Sequence, residues 1–366
     1  MKFSLSREAL LNPLQLVAGV VERRQTLPIL SNVLLSLEGN KLAMTGTDLE
    51  VEIIGSTEVD STSEPGQVTL SARKILDICR SLPDGALLDF SSSDGKAQIT
   101  SGRSQFTLAT LPANEFPSVD EGELGVEFVV AASMVKGLIE ATSFAMAQQD
   151  VRYYLNGMLW EVTNNQLRAV ATDGHRLALC DSPCEVSVED KVSAILPRKG
   201  IMELSRLLGD ESVAISIGPN HIRITGADYC FTSKLVDGAY PDYDRVVPKG
   251  GDKLVVGDRE QLKQAFSRTA ILSNEKYRGV RMQLSDGAIH IVANNPEQEE
   301  AHEEVTVSYG GEPLEIGFNV GYLLDVLGVL KGKEIQFTLS DSNSSALVED
   351  AAGDSKGIYV VMPMRL

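Results

Sequence analysis

The feature that most constrains this 366-residue chain is that it is written three times. Three hairpin signals share one spacing; each is an alternating apolar run, a tight turn rich in Gly, Asn or Asp, and a second alternating run. Their turns are Glu38-Gly39-Asn40, Asn164-Asn165 and Asp286-Gly287, at steps of 125 and 123 residues. Ala72-Arg73-Lys74 and Pro197-Arg198-Lys199 open helix-like stretches 125 residues apart, and Asp94-Gly95, Pro219-Asn220 and Ser342-Asn343 mark later hairpins. Phe116-Pro117, Tyr240-Pro241 and Met362-Pro363 close the units at steps of 124 and 122. A constant register with low side-chain identity predicts three domains of about 122 residues, at 1–121, 122–248 and 249–366.

Each third splits again. Residues 6–17, 132–145 and 258–271 in the first halves, and 72–82, 198–208 and 319–330 in the second, carry apolar residues at helical spacing, as in Ile75, Leu76, Ile78, Cys79 and Leu82. Long β runs follow each of them. The unit is therefore one helix plus about four strands, given twice per domain. Two helices laid against antiparallel sheets bury both faces, which makes this an α+β fold.

Charge narrows the partners. With 33 Lys and Arg against 51 Asp and Glu, the net of −18 argues against a protein that holds nucleic acid by bulk positive charge. The six helical stretches nonetheless sum to +4, leaving −22 for the remainder. If they share a face, that face is mildly basic and can hold phosphates loosely without reading bases; ordinary solvated helix faces give the same count. No apolar run reaches membrane-spanning length, and Met1-Lys2-Phe3-Ser4 followed by Arg7 and Glu8 has no apolar signal core. Cys79, Cys180, Cys184 and Cys230 read as idle thiols in a reducing cytoplasm.

Motifs for chemistry are sparse. The string GVLKGK at 328–333 has the wrong spacing for a phosphate loop. Asp242 and Asp244 resemble a metal-binding carboxylate pair but sit at a closing turn, and the acidic run at 297–304 reads first as a solvated strand or loop. Thr172-Asp173-Gly174-His175-Arg176 looks most like an active site, yet no nucleophile accompanies it, and the first third keeps only Thr47-Asp48 there. Neither a catalytic residue nor a metal or cofactor site is assigned. The C-terminal strand runs apolar to its last residue, and two Met side chains near a chain end suit a groove for varied apolar partners.

Several long strings together carry a resemblance: TGTDLE at 45–50, VRYYLNG at 151–157, ATDGHRL at 171–177, FTSKLVDG at 231–238, NNPEQEE at 294–300 and VVMPMRL at 360–366. Collinear over the whole chain, they resemble the bacterial DNA polymerase III beta-subunit family, the sliding clamps. The resemblance implies a head-to-tail homodimer forming a ring around duplex DNA, with the helices lining the hole and the sheets outside. It implies DNA contacts at Arg24 and Gln149, which occupy the same loop of the repeat, with Tyr153 and Tyr154 beside them and Arg73, Arg198 and Lys199 from helix position.

It further implies a groove between the second and third domains. This groove takes short Leu/Phe-containing peptides of the polymerase III catalytic subunit, the clamp loader, other polymerases and repair proteins. The matching positions are Leu155, Thr172, Gly174, His175, Arg176, Leu177, Pro241, Arg245, Val246, Tyr277, Asn319, Tyr322 and Ser345, together with Val360, Val361, Met362, Pro363, Met364, Arg365 and Leu366. At the dimer contact, Phe106 and Leu108 are expected to meet Ile271 and Leu272, and Lys74 and Arg103 to face Glu299, Glu300 and Glu303. The rival readings are a metal-dependent nucleotidyl-transfer enzyme using Asp242 and Asp244, and a peptide-binding scaffold that never meets DNA.

Overall fold

The computed structural model describes residues 1–21, 27–59, 63–119, 125–353 and 356–365, so Arg24 and Leu366 lie outside the described residues. Among these are six α-helices: α1 (Arg7–Val17), α2 (Ala72–Ser81), α3 (Ala132–Thr142), α4 (Arg198–Leu207), α5 (Arg259–Thr269) and α6 (Val320–Val329). All six fall where the apolar spacing puts them. The third is shorter than the periodicity alone, because a 3-10 turn at Ser143–Ala145 succeeds it. There Thr142 turns its hydroxyl back onto the Leu138 carbonyl at 2.7 Å. Side-chain caps fix other helix starts: Asp258 accepts the Gln261 N–H at 2.9 Å, and Asn319 the Gly321 N–H at 2.9 Å.

The chain divides into two compact units. The first comprises 1–135 and 196–236 and is built on a twelve-stranded antiparallel sheet. Within it the first third of the sequence joins the central third by main-chain pairing of Val51–Glu58 with Tyr229–Lys234. Gly55 lies on that seam because a side chain there would strike Pro13 of α1 at 2.9 Å.

The second unit comprises 136–195 and 237–366. Its eight-stranded sheet repeats the same device, pairing Arg176–Pro183 with Gly357–Val361, while a four-stranded sheet carries the rest. The cores are continuous apolar layers, with Trp160, Phe266, Phe318 and Phe337 fully buried. The boundaries of the compact units thus cut through the central repeat. Strand pairing across neighbouring repeats is as extensive as pairing within one. No helix among the described residues is long and apolar enough to cross a membrane.

Candidate functional site

The second unit gathers most of the groove residues around one turn. In Thr172-Asp173-Gly174-His175-Arg176, the Thr172 hydroxyl donates to the Arg176 carbonyl at 2.6 Å and accepts the Gly174 N–H at 3.1 Å. Asp173 accepts the N–H groups of His175 at 2.8 Å and Arg176 at 3.0 Å. Gly174 supplies a φ of +88° that a side chain would resist. Thr47-Asp48-Leu49-Glu50, 125 residues earlier, makes the same four bonds, with Leu49 held at φ +80°. The Thr-Asp pair is therefore turn chemistry: in both repeats its hydroxyl and one carboxylate oxygen satisfy backbone groups.

Arg176 is the fixed point of the wall. Its guanidinium bonds Asp173 at 3.1 Å, the Phe144 carbonyl at 2.6 Å and Asp325 of α6, and it lies 4.4 Å from the Tyr322 ring centroid. Exposed His175 stacks on the same ring. Tyr240 bonds the Thr172 N–H through its hydroxyl at 3.1 Å and is driven upward in pKa by burial.

The chain end docks by its backbone: the Met362 N–H donates to the His175 carbonyl at 2.9 Å and the Met364 N–H to the Gly317 carbonyl at 2.8 Å. Met362, Pro363 and Met364 stay half-buried and Arg365 exposed. On the other side, Asn319 caps α6 while donating to the Tyr277 carbonyl at 3.3 Å, and Tyr277 is 56% exposed. Pro241 and Arg245 are exposed, with Val246 and Ser345 half-buried. Four positions expected in the groove are core instead: Leu155, Leu177, Val360 and Val361 are all at most 2% exposed. Leu177, Val360 and Val361 sit on strands paired in mid-sheet, and Leu155 is the buried residue of the 3-10 turn Tyr153–Asn156.

Next to this turn sits the loop of Gln149, Tyr153 and Tyr154. Gln149 has φ +55°, Val151 is 94% exposed and Tyr153 56%. The base of the loop is closed by Asn156, which bonds both the N–H and the carbonyl of Asp150 at 2.9 Å. Arg152 forks onto Asp150 at 3.0 and 2.8 Å and holds that carboxyl down at a pKa of about 2. Since the folded value is depressed, the pair contributes stability above the usual aspartate value of about 3.9. That contribution is lost progressively as pH falls from about 4 through about 2. An NMR titration should place the Asp150 midpoint near 2; a midpoint near 4 rules the pair out in solution.

Other basic positions are less available than their helical placement suggests. Arg73 is well exposed beside Asp77, whereas Lys199 is bound by Asp48 at 2.5 Å and the Val20 carbonyl at 3.3 Å. A lysine opening a helix reads as a surface charge, and nothing local announces a carboxylate that arrives from the preceding repeat.

Two incompletely paired strands carry the residues expected at the dimer contact. Strand Ser104–Leu111 pairs fully with Lys96–Ser101, but on its other side only Thr110 and Leu111 are bonded. Exposed Arg103 precedes it, Phe106 and Leu108 are half-buried along it, and Lys74 is exposed on α2. Strand Glu300–Thr306 pairs only with Ala288–Asn294 and forms the rim of the four-stranded sheet. Ile271, 76% exposed, and half-buried Leu272 occupy the neighbouring 3-10 turn. Of its acids, Glu303 is engaged by Arg268 through two bonds of 2.6 and 2.7 Å, and Glu299 is held by Asn295.

Sequence reasoning missed one buried polar network. Tyr243 donates to the Glu161 carboxylate, Lys191 pairs with Glu161 at 2.7 Å, and Arg168 bonds both Tyr243 at 3.2 Å and Asp181 at 2.6 and 2.8 Å. Burial pushes the Tyr243 hydroxyl up to about 12. The network fastens the 3-10 turn of Tyr243 and Arg245 to the sheet, and Arg245 holds Asp242 at 2.7 Å, so the Asp242–Asp244 pair belongs to a structural turn. Tyr243→Phe removes a donor from a buried carboxylate and should cost about 1–3 kcal/mol in denaturant unfolding. The only signal in the sequence was a charged residue in each of three β runs, which alternation alone reads as solvent-facing.

Comparison with known proteins gives a consistent result. Models of the DNA polymerase III beta subunit match residues 1–120 as its N-terminal domain, 129–242 as its central domain and 244–365 as its C-terminal domain. The beta sliding clamp of Pseudomonas aeruginosa is 62% identical over 368 residues, with both chains wholly covered. That of Escherichia coli K12 is 52% identical, again over both whole chains. A solved sliding clamp from Pseudomonas aeruginosa bound to griselimycin superposes over the full length of both chains, with a TM-score of 0.97 at 62% identity.

Proposed function

Because this chain belongs to the DNA polymerase III beta-subunit family, the bacterial sliding clamps, we propose that two copies close head to tail into a ring around duplex DNA. Its function is to confer processivity on the replicative polymerase. The observation that supports the ring is a pair of incompletely paired strands of unlike charge, one preceded by Arg103, the other lined by Glu300 and Glu304. Unlike edges on one chain make a heterologous contact, which closes when its rotation allows. Two copies of a threefold repeat supply six domains and twelve helices for the lining.

The mechanism is topological and non-catalytic. A closed ring leaves DNA only by opening or at an end, so weak phosphate contacts suffice and tight ones would arrest sliding. Gln149, Tyr153, Tyr154, Arg73 and Arg198 are the contacts we assign among the described residues, with Lys199 held back by Asp48. The groove around Arg176, Tyr322 and Met362 receives apolar peptide motifs of polymerases, the clamp loader and repair proteins, raising their effective concentration at the primer end. The setting is the cytoplasm.

The test is retention. Protein loaded on closed circular DNA should remain bound and should run off after the circle is cut, with a native mass of two chains. Equal loss from circular and linear DNA, or a monomeric mass, overturns the ring.

A further inference from the structure

We propose that Arg152 is a positioning residue of the peptide groove, through which contact of DNA with the Gln149–Tyr153 loop weakens peptide binding. The proposal rests on the clamp reading above. Arg152 has two ends of engagement. Toward the loop it forks onto Asp150, and the Arg152 N–H also bonds Asp150 at 2.8 Å. Toward the groove its Nη2 donates to the Asp173 carbonyl at 3.1 Å, and the guanidinium covers Gly174, where an added Cβ would lie 2.9 Å from Nη1. One side chain therefore spans from the base of an exposed loop to the turn that carries His175 and Arg176.

The repeat shows that the turn does not need it. In the first third the 3-10 turn at Pro28–Ser31 takes the place of Tyr153–Asn156, and Leu27 caps it where Arg152 caps the later copy. Thr47-Asp48-Leu49-Glu50 nonetheless makes the same four turn bonds. The arginine is thus an addition to a turn that already folds, and it occurs in the copy where the turn forms a groove wall.

An exposed guanidinium beside a loop that meets DNA has two partners to choose from, a carbonyl at the turn or a backbone phosphate. Drawn toward phosphate, it uncovers Gly174 and releases Asp173, so the wall is less preorganised and peptide binds more weakly. Linkage makes the effect reciprocal: peptide in the groove holds Arg152 on the turn and loosens the loop's grip on DNA. A clamp carrying a polymerase slides more freely than an empty one.

The experiment measures affinity of a fluorescent Leu/Phe-containing peptide for the full-length protein, free and loaded on closed circular DNA. Wild type should bind the peptide about fivefold more weakly when loaded. Arg152→Leu, which installs the first repeat's residue, should stay folded and bind equally in both states, with an unfolding midpoint slightly lowered by loss of the Asp150 pair, and Arg152→Lys should retain part of the difference. Retention on the circle without any loaded-versus-free difference in wild type, or a difference that persists in Arg152→Leu, overturns the coupling. No retention on the circle overturns the clamp reading itself, and the proposal with it.

Discussion

Changing Ile271 to Asp should turn the dimer into monomers and abolish retention on circular DNA while leaving peptide binding intact. Ile271 is 76% exposed on the single chain, so the substitution costs the isolated fold little. In the ring it is expected against Phe106 and Leu108 of the partner subunit. Burying an isoleucine is worth about 1.5–3 kcal/mol, and placing an unpaired carboxylate there adds a desolvation cost of several kcal/mol. Even about 3 kcal/mol weakens one contact more than 100-fold, and a head-to-tail ring carries the lesion twice. Sedimentation at micromolar protein should show one chain, and the loaded complex should not form. An unchanged dimer takes Ile271 out of the interface. Among the acids, reversing Glu300 to Lys should weaken the dimer more than reversing Glu303. The Glu303 carboxylate is already neutralised by Arg268, which holds it below the usual carboxylate range.

Most of the architecture was legible because it is periodic. Hairpin turns such as Asn164-Asn165 and Asp286-Gly287 need positive φ, and Asn165 at +59° and Gly287 at +72° supply it where the spacing placed them. Helix positions followed from the apolar stripe, to within a residue or two at the ends. Such signals are local, and three copies of each made them strong.

The site was legible only through resemblance, because its determinants are not local. Arg176 works by reaching Phe144 and Asp325, which lie 32 and 149 residues away. Lys199 is silenced by Asp48 across 151 positions of sequence, so counting basic residues on helices overstated the charge available to DNA. Glu161 shows the opposite failure. Alternation puts it outside, but Lys191, Tyr243 and the neighbouring Arg168 make a buried carboxylate tolerable. The net charge of −18 was misleading in the same way, since it records the whole surface and nothing about which residues face a ligand.

The C-terminal tail allows the sharpest test of the groove, and the fold dictates where to cut. Removing 360–366 would take out Val360 and Val361, which are fully buried and paired with Leu177 and Arg176 in the eight-stranded sheet. Such a protein loses part of its core, and any loss of binding would be ambiguous. Ending the chain after Val361 keeps the strand and removes Met362, Pro363, Met364 and Arg365, whose side chains are half-buried or exposed. The truncated protein forfeits the Met362 bond to His175 and the Met364 bond to Gly317, so one whole side of the groove is gone. Two methionine side chains of apolar contact to a peptide, at about 1.5–3 kcal/mol each when fully buried, correspond to at least a 100-fold loss of peptide affinity. Fluorescence anisotropy should show that loss with an unchanged dimer mass and an unfolding midpoint close to wild type. Binding within a few-fold of wild type in a folded, dimeric truncation would place the peptide somewhere other than this groove.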